Sequence, residues 1–278
     1  MAKSAKQHSL AAIHGTLVLV GAGKMGGAML EGWLARKLPP KKLVVLEPQP
    51  SKPVKALVKR GVQLNPKGKM SEAAAVVIAV KPQSAPEALP PLKPLIGKKT
   101  VVVSIMAGRP LAFLEQTLPG AAIVRAMPNT PAAIGRGITV AVGNAKVTPA
   151  ARKLAHALLA ATGAVEWVND EALMDAVTAV SGSGPAYVFL LAETMARAGE
   201  AAGLPAALAE KLARATVAGS GELLHRSTEP AATLRSNVTS PGGTTAAALG
   251  VLMDQGGLEP LMTKAIAAAT RRGKELAG

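Results

Sequence analysis

The spacing of apolar residues along this chain changes near residue 168. Before that point they come in short, nearly unbroken runs: TLVLV at 16–20, a run at 43–46, AVVIAV at 75–80, TVVVSI at 100–105, and two more at 121–126 and 137–142. Such runs, rich in Val and Ile and bounded by Gly and Pro, read as strands buried on both faces of a parallel sheet. Helical patterns separate some of them, notably one running to Arg36 and one over 148–161, and 165–168 reads as a last short strand. From about Asp170 no β-branched run follows, and apolar residues recur at helical spacing. That pattern predicts helices near 170–180, 185–202, 205–225, 230–238, 244–254 and 257–276. The chain therefore reads as an α/β domain over 15–168 and an all-α domain over 169–278, with residues 1–14 as a flexible tail.

The first strand and the helix after it carry the first chemistry. Val20 is followed by Gly21, Ala22, Gly23, Lys24, Met25 and Gly26. A GxGxxG run alone is a weak signal, but between a strand and a helix it fits a dinucleotide-binding turn. Gly21 permits the tight turn, Gly23 lets a pyrophosphate reach the backbone, and Gly26 allows close helix–strand packing. Glu47 ends the second strand about 20 residues on, where a carboxylate for a ribose hydroxyl is expected. The first domain thus reads as Rossmann-like. Ligands of such sheets lie at the carboxyl ends of strands, which makes the loops after 75–80 and 100–105 candidate cofactor contacts.

The second chemical feature is the stretch LRSNVTSPGGTTAAAL at 234–249. A helical pattern ends near Val238, a Pro-Gly-Gly turn follows, and the helix formers Ala246 to Leu249 come at once. Thr239, Ser240, Thr244 and Thr245 crowd this helix start with more hydroxyls than a cap requires. Bare N–H groups there, approachable past two glycines, suit an anion such as a carboxylate.

Composition narrows the chemistry. There is no cysteine, and the four histidines are scattered, so no metal is expected. The longest apolar run, 73–80, is too short to cross a bilayer, and the N-terminal segment is too short in apolar residues for a signal peptide; a cytoplasmic protein is expected. The net charge of +15 is uneven: residues 1–168 hold 23 Lys and Arg against 6 Asp and Glu, whereas 169–278 hold 9 against 11. A basic half attracts phosphates, but aromatics are only 2% of residues, which disfavours nucleic acid and favours a phosphate-bearing cofactor.

A nicotinamide site beside a carboxylate-binding helix start points to a reductase of a small acid. The GxGxMG start and two-domain layout resemble the β-hydroxyacid dehydrogenases, a family expected to carry a catalytic lysine on the first long helix of its second domain. Here no lysine lies between Gly182 and Glu210. An imine, whose carbon accepts hydride and whose nitrogen is readily protonated, needs no such base. More specifically, the chain resembles pyrroline-5-carboxylate reductase. The resemblance rests on Leu234-Arg235, Val238 and Ser240-Pro241-Gly242-Gly243-x-Thr245, on Gly21-Ala22-Gly23-x-Met25, on Ala79-Val80-Lys81-Pro82, on Arg125-x-Met127-Pro128-Asn129-Thr130-Pro131, and on Asp175 to Thr178 leading into Ser181-Gly182-Ser183-Gly184-Pro185-Ala186-Tyr187. It runs from about Thr16 to the C-terminus.

That resemblance implies reduction of 1-pyrroline-5-carboxylate to L-proline with NADPH or NADH, the last step of proline biosynthesis; reduction of a related cyclic imino acid is the alternative. It implies cofactor contacts at Val20, Gly21, Ala22, Gly23, Lys24, Met25, Ala79, Val80, Lys81, Pro82, Ala107 and Asn237, beside Glu47. It implies a substrate carboxylate on Ser240, Gly242, Gly243 and Thr244, with Thr245 bonding the ring nitrogen as the catalytic hydroxyl and Glu171 near the substrate pocket. It also implies a C-terminal dimerisation domain that exchanges helices with a partner, and dimers that often assemble into a decamer. Read from their own surroundings, Met127, Asn129 and Thr130 shape a Pro-bracketed turn, Ser181 and Ser183 cap the helix at Pro185, and Tyr187 packs in a dimer core.

Overall fold

Four to seven apolar residues in a row, too short for a helix and rich in Val, leave the backbone to satisfy itself between neighbouring strands. In the computed structural model, which describes residues 10–277 and their side chains through 276, these runs build one eight-stranded sheet. Its strands are β1 (Leu17–Val20), β2 (Leu43–Leu46), β3 (Gln63–Leu64), β4 (Ala75–Ile78), β5 (Val101–Ser104), β6 (Ala122–Met127), β7 (Gly137–Gly143) and β8 (Gly163–Trp167). They lie in the order β3-β2-β1-β4-β5-β6-β7-β8. Every pairing is parallel except β6 with β7. The order reverses between β1 and β4, and such a reversal opens a crevice at the strands' carboxyl ends.

Side chains alternate across the strands and so feed two cores. The connections hold α1 (Lys24–Ala35), α2 (Lys52–Ala56), α3 (Ala85–Ala88), α4 (Leu111–Thr117) and α5 (Pro149–Leu159). Leu17, Leu19, Val45, Val77 and Val103 face Met29, Leu30 and Trp33 of α1 and Leu158 of α5. Val18, Val20, Val76, Ile78 and Val102 face Ala85 of α3 and Leu111 and Leu114 of α4. The buried Trp33 donates its indole N–H to the Leu158 carbonyl at 2.9 Å, which fixes α1 against α5. Leu10 is 1% exposed, joins the Trp33 face and donates its N–H to the Arg36 carbonyl. The expected flexible tail over residues 1–14 is thus corrected for 10–14, because Leu10 has an apolar site to fill. Residues 1–9 of that expectation lie outside the described residues.

After β8 the chain forms a 3-10 turn at Glu171–Leu173, α6 (Met174–Val177) and a π-helical turn at Thr178–Gly182, where a single helix was expected over 170–180. Met174 is buried among the sheet's side chains. The compact unit around the sheet therefore extends to Gly182, and it takes in the last turns of the chain from Ala269. The other unit is Ser183–Ala268. It holds α7 (Gly184–Ala201), α8 (Ala206–Arg226), α9 (Ala231–Asn237), α10 (Thr244–Leu252) and the first part of α11 (Leu258–Ala277). Gly203, at φ +99°, ends α7 by donating to the Glu200 carbonyl while Leu204 donates to that of Gly199, and the chain turns back into α8. Within this unit only Ala196, Ala209 and Ala213 are buried among the described residues, whereas Phe189, Leu190, Leu223 and Val251 are exposed. No helix is long and apolar enough to cross a membrane, among the described residues.

Candidate active site

The glycine run does three separate jobs at the crevice. Gly21 adopts φ +90°, and a Cβ there would stand 2.7 Å from the Ala79 carbonyl oxygen, so the β1 and β4 ends approach closely only over a bare backbone. A Cβ on Gly26 would lie 2.2 Å from the Gly21 carbonyl oxygen, so α1 seats tightly on its own loop. A Cβ on Gly23 would meet nothing within 4 Å. Gly23 is the N-cap of α1, carries no side-chain cap, and is followed by no acidic residue in the first turn. An open, uncapped helix start is suited to a pyrophosphate, so the residues present fit a dinucleotide. Val20, Gly21 and Ala22 are buried as its floor, while Gly23 and Lys24 are exposed at its mouth and Met25 is half-buried.

Glu47 closes the far side of this loop. Its Oε2 accepts from the Ala22 N–H at 2.8 Å, and its Oε1 accepts from the Gln49 N–H at 3.0 Å. The carboxylate is thus fixed by two backbone donors and remains partly open to solvent. It keeps lone pairs for further donors, as a ribose acceptor requires. On the other side, Ala79 donates its N–H to the Val20 carbonyl at 2.7 Å, which sets the Ala79–Pro82 loop beside Gly21. Lys81 is exposed at the start of a short 3-10 turn. Arg109 donates to the Pro82 carbonyl and lies over the Phe113 ring, tying that loop to the one after β5. Ala107 is exposed on this loop, and the neighbouring Gly108, at φ +68°, packs against Leu276.

The Pro-Gly-Gly turn of the helical unit has a comparable form. Gly242 stands at φ +70° and Gly243, the N-cap of α10, donates its N–H to the Ser240 carbonyl at 3.1 Å. No side chain caps α10, and its first turn has no acidic residue. The hydroxyls expected to cap do not: Thr239 donates instead to the Arg235 carbonyl, completing the end of α9, while Thr244 and Thr245 lie inside the first turn. Thr245 is half-buried and Ser240 is exposed.

Comparison with known proteins decides between the two resemblances. Residues 171–276 match the family described as pyrroline-5-carboxylate reductase dimerisation, and residues 16–108 match that described as NADP oxidoreductase coenzyme F420-dependent. A pyrroline-5-carboxylate reductase from Synechocystis sp. is 41% identical over 265 residues, spanning 94% of this chain and 97% of its own length. The chain belongs to the pyrroline-5-carboxylate reductases. The fold agrees with solved members of the family. That of Coxiella burnetii superposes with a TM-score of 0.87 at 34% identity, over 95% of this chain and 99% of its own. That of Plasmodium falciparum, solved with NADP bound, gives 0.77 at 29% identity, over 95% and 98%.

Several residues singled out in this pyrroline-5-carboxylate reductase sequence also make contacts within the fold. Glu171 was expected near the substrate. Its Oε1 accepts from the Arg125 guanidinium at 2.7 Å and from the Leu111 N–H at 2.8 Å. Arg125 projects from β6 with its side chain only 7% exposed, so the pair neutralises a buried charge, and it anchors the start of α4. Asn129 accepts from the Ile138 N–H at 2.9 Å and so holds the Pro-bracketed turn to β7. Ser183 is the N-cap of α7, but its side chain makes no capping hydrogen bond. The chain enters α7 already coiled, with Ser183 in helical geometry, and the buried Ser181 hydroxyl has no hydrogen-bond partner. Asn237, at the end of α9, donates to Glu229 at 3.4 Å.

Two residues at the site went unread in the sequence. Arg109 is one, and a guanidinium in a loop after a strand carries no periodic signal. The other is Asn65, which donates its amide to the Glu47 carbonyl and accepts from the Glu47 N–H.

Proposed function

We infer that this chain reduces the C=N bond of 1-pyrroline-5-carboxylate to L-proline with a nicotinamide dinucleotide, the last step of proline biosynthesis. The observation that carries the reading is the intact Ser240–Thr245 turn, uncapped at the start of α10, on a chain that also holds the Gly21–Gly26 cradle. The bound dinucleotide supplies a hydride to the imine carbon. Its pyrophosphate takes the backbone of Gly21 to Met25, and the Ala79–Pro82 loop, Ala107 and Asn237 supply further contacts. The substrate's carboxylate docks on the N–H groups of Gly242, Gly243 and Thr244 beside the Ser240 hydroxyl, where the helix dipole favours an anion. Thr245 then presents its hydroxyl to the ring nitrogen. A hydroxyl has no useful pKa near neutrality, so it orients the nitrogen and holds its proton rather than acting as a strong acid.

Glu47 bears on the choice of dinucleotide. A fixed carboxylate accepts the ribose hydroxyls of NADH and repels a 2′-phosphate. Lys52 and Lys55, both in α2, offset part of that repulsion. NADH is therefore used well, and NADPH is the second cofactor. The chain works as a homodimer through its helical unit, because the exposed apolar side chains of α7, α8 and α10 require a cover; dimers of this kind assemble further, up to a decamer.

The direct test is to add 1-pyrroline-5-carboxylate with NADH or NADPH and to follow both cofactor oxidation and proline formation. Absence of proline with either cofactor would overturn the reading.

A further inference from the structure

Asn65 adopts φ +44°, in the left-handed region that Asn tolerates better than most side chains. It follows directly on β3, the two-residue edge strand that pairs with β2. Its own N–H donates to the Val45 carbonyl at 2.9 Å, which continues the β2–β3 ladder by one bond. Its side-chain amide then does what the next residue of a strand would do. The Oδ1 accepts from the Glu47 N–H at 2.9 Å, and the Nδ2 donates to the Glu47 carbonyl at 2.8 Å. Both backbone groups of Glu47 are held by one planar amide. The Glu47 carboxylate is in turn held by the N–H groups of Ala22 and Gln49. The whole arrangement lies within the compact unit around the sheet.

We propose that Asn65 is a positioning residue for cofactor choice, fixing the Glu47 backbone so that its carboxylate stands ready for the ribose hydroxyls of a dinucleotide lacking a 2′-phosphate. The proposal rests on the reading of Glu47 as that acceptor. Physically, the left-handed turn at Asn65 ends the edge strand, and its amide replaces the ladder that β3 is too short to provide. Without the amide, β2 frays at its carboxyl end and Glu47 samples several orientations. An acceptor that must be ordered on binding loses affinity for the ligand it was shaped for. A dinucleotide bearing a 2′-phosphate makes no bond to the carboxylate and is only repelled by it, so loosening Glu47 does not weaken its binding.

The test is equilibrium binding of NADH and of NADPH to the full chain by calorimetry, in a double-mutant cycle of Asn65→Gly and Glu47→Ser. Glycine accepts the backbone angle and removes only the amide. Asn65→Gly is expected to weaken NADH by about three- to tenfold, the scale of one or two lost hydrogen bonds, and to leave NADPH within about twofold. In the Glu47→Ser background, Asn65→Gly should change neither by more than about twofold. If Glu47→Ser shifts the NADH/NADPH ratio and Asn65→Gly does not, or weakens both cofactors equally, the role of Asn65 is overturned while that of Glu47 stands. If Glu47→Ser leaves the ratio unchanged, the reading of Glu47 fails and the role of Asn65 with it. Should Asn65→Gly not fold by circular dichroism, Asn65→Asp takes its place. It keeps the acceptor for the Glu47 N–H and loses the donor, and it must still lower NADH affinity selectively.

Discussion

The half-buried Thr245 and exposed Thr244 sit side by side in the first turn of α10, yet different parts of them are expected to matter. Thr245→Val keeps the shape and removes the hydroxyl. It should lower kcat/KM for the imine by roughly ten- to a thousandfold, the scale for one positioned donor. Dinucleotide affinity should hardly change. Thr244 contributes its backbone N–H, so Thr244→Val should cost less in steady-state rates; a larger loss there would reverse the assignment. Glu171 makes the opposite prediction. Glu171→Ala leaves the Arg125 guanidinium and the Leu111 N–H without their carboxylate. It should destabilise the fold by roughly 2–3 kcal/mol in denaturant titration and leave KM for the imine nearly unchanged. A raised KM with unaltered stability would instead support a role for Glu171 at the substrate.

At the scale of elements, the β1–loop–α1 unit separates two kinds of glycine. Gly26→Ala drives a methyl into the Gly21 carbonyl, so it should cost roughly 1–3 kcal/mol of stability by strain. Gly23→Ala meets open space, so it should spare the melting temperature and weaken the dinucleotide by about tenfold or more, read by calorimetry. This unit was legible in the sequence because strand, turn and helix each have their own signal in a few residues. So were the other buried strands, since burial on both faces demands unbroken apolar runs. What was not legible is short: β3 is two residues, α2 and α3 are five and four, and Pro90, Pro91 and Pro94 interrupt the segment after α3. Such pieces have no period to read, and tertiary contacts rather than propensity form them. The long-range pairs at the site were hidden for a related reason. Nothing in the sequence ties Arg125 to Glu171, or Asn65 to Glu47, until the sheet brings β6 beside the α4 start and β3 beside β2.

For the whole molecule, the contrast between its two units is decisive. The sheet unit buries most of its apolar residues on two faces, with Ile134 and Val180 left exposed, whereas the helical unit buries only Ala196, Ala209 and Ala213 among the described residues and leaves Phe189 68% and Val251 74% exposed. Permanent dimers cover such surfaces with large apolar interfaces, so an interface of more than about 2,000 Å² in total is expected. Light scattering at micromolar concentration should give at least a dimer, and an active monomer would contradict the expectation.

The helix α10 takes that contrast furthest, because Ala246, Ala247, Ala248, Leu249, Val251 and Leu252 leave it apolar around much of its circumference while none of its residues is buried. Refolding from denaturant should therefore show two reaction orders. Recovery of dinucleotide binding, carried mainly by the sheet unit, should proceed with a half-time independent of protein concentration. Recovery of turnover should wait for encounters between chains, its half-time shortening as the protein is made more concentrated.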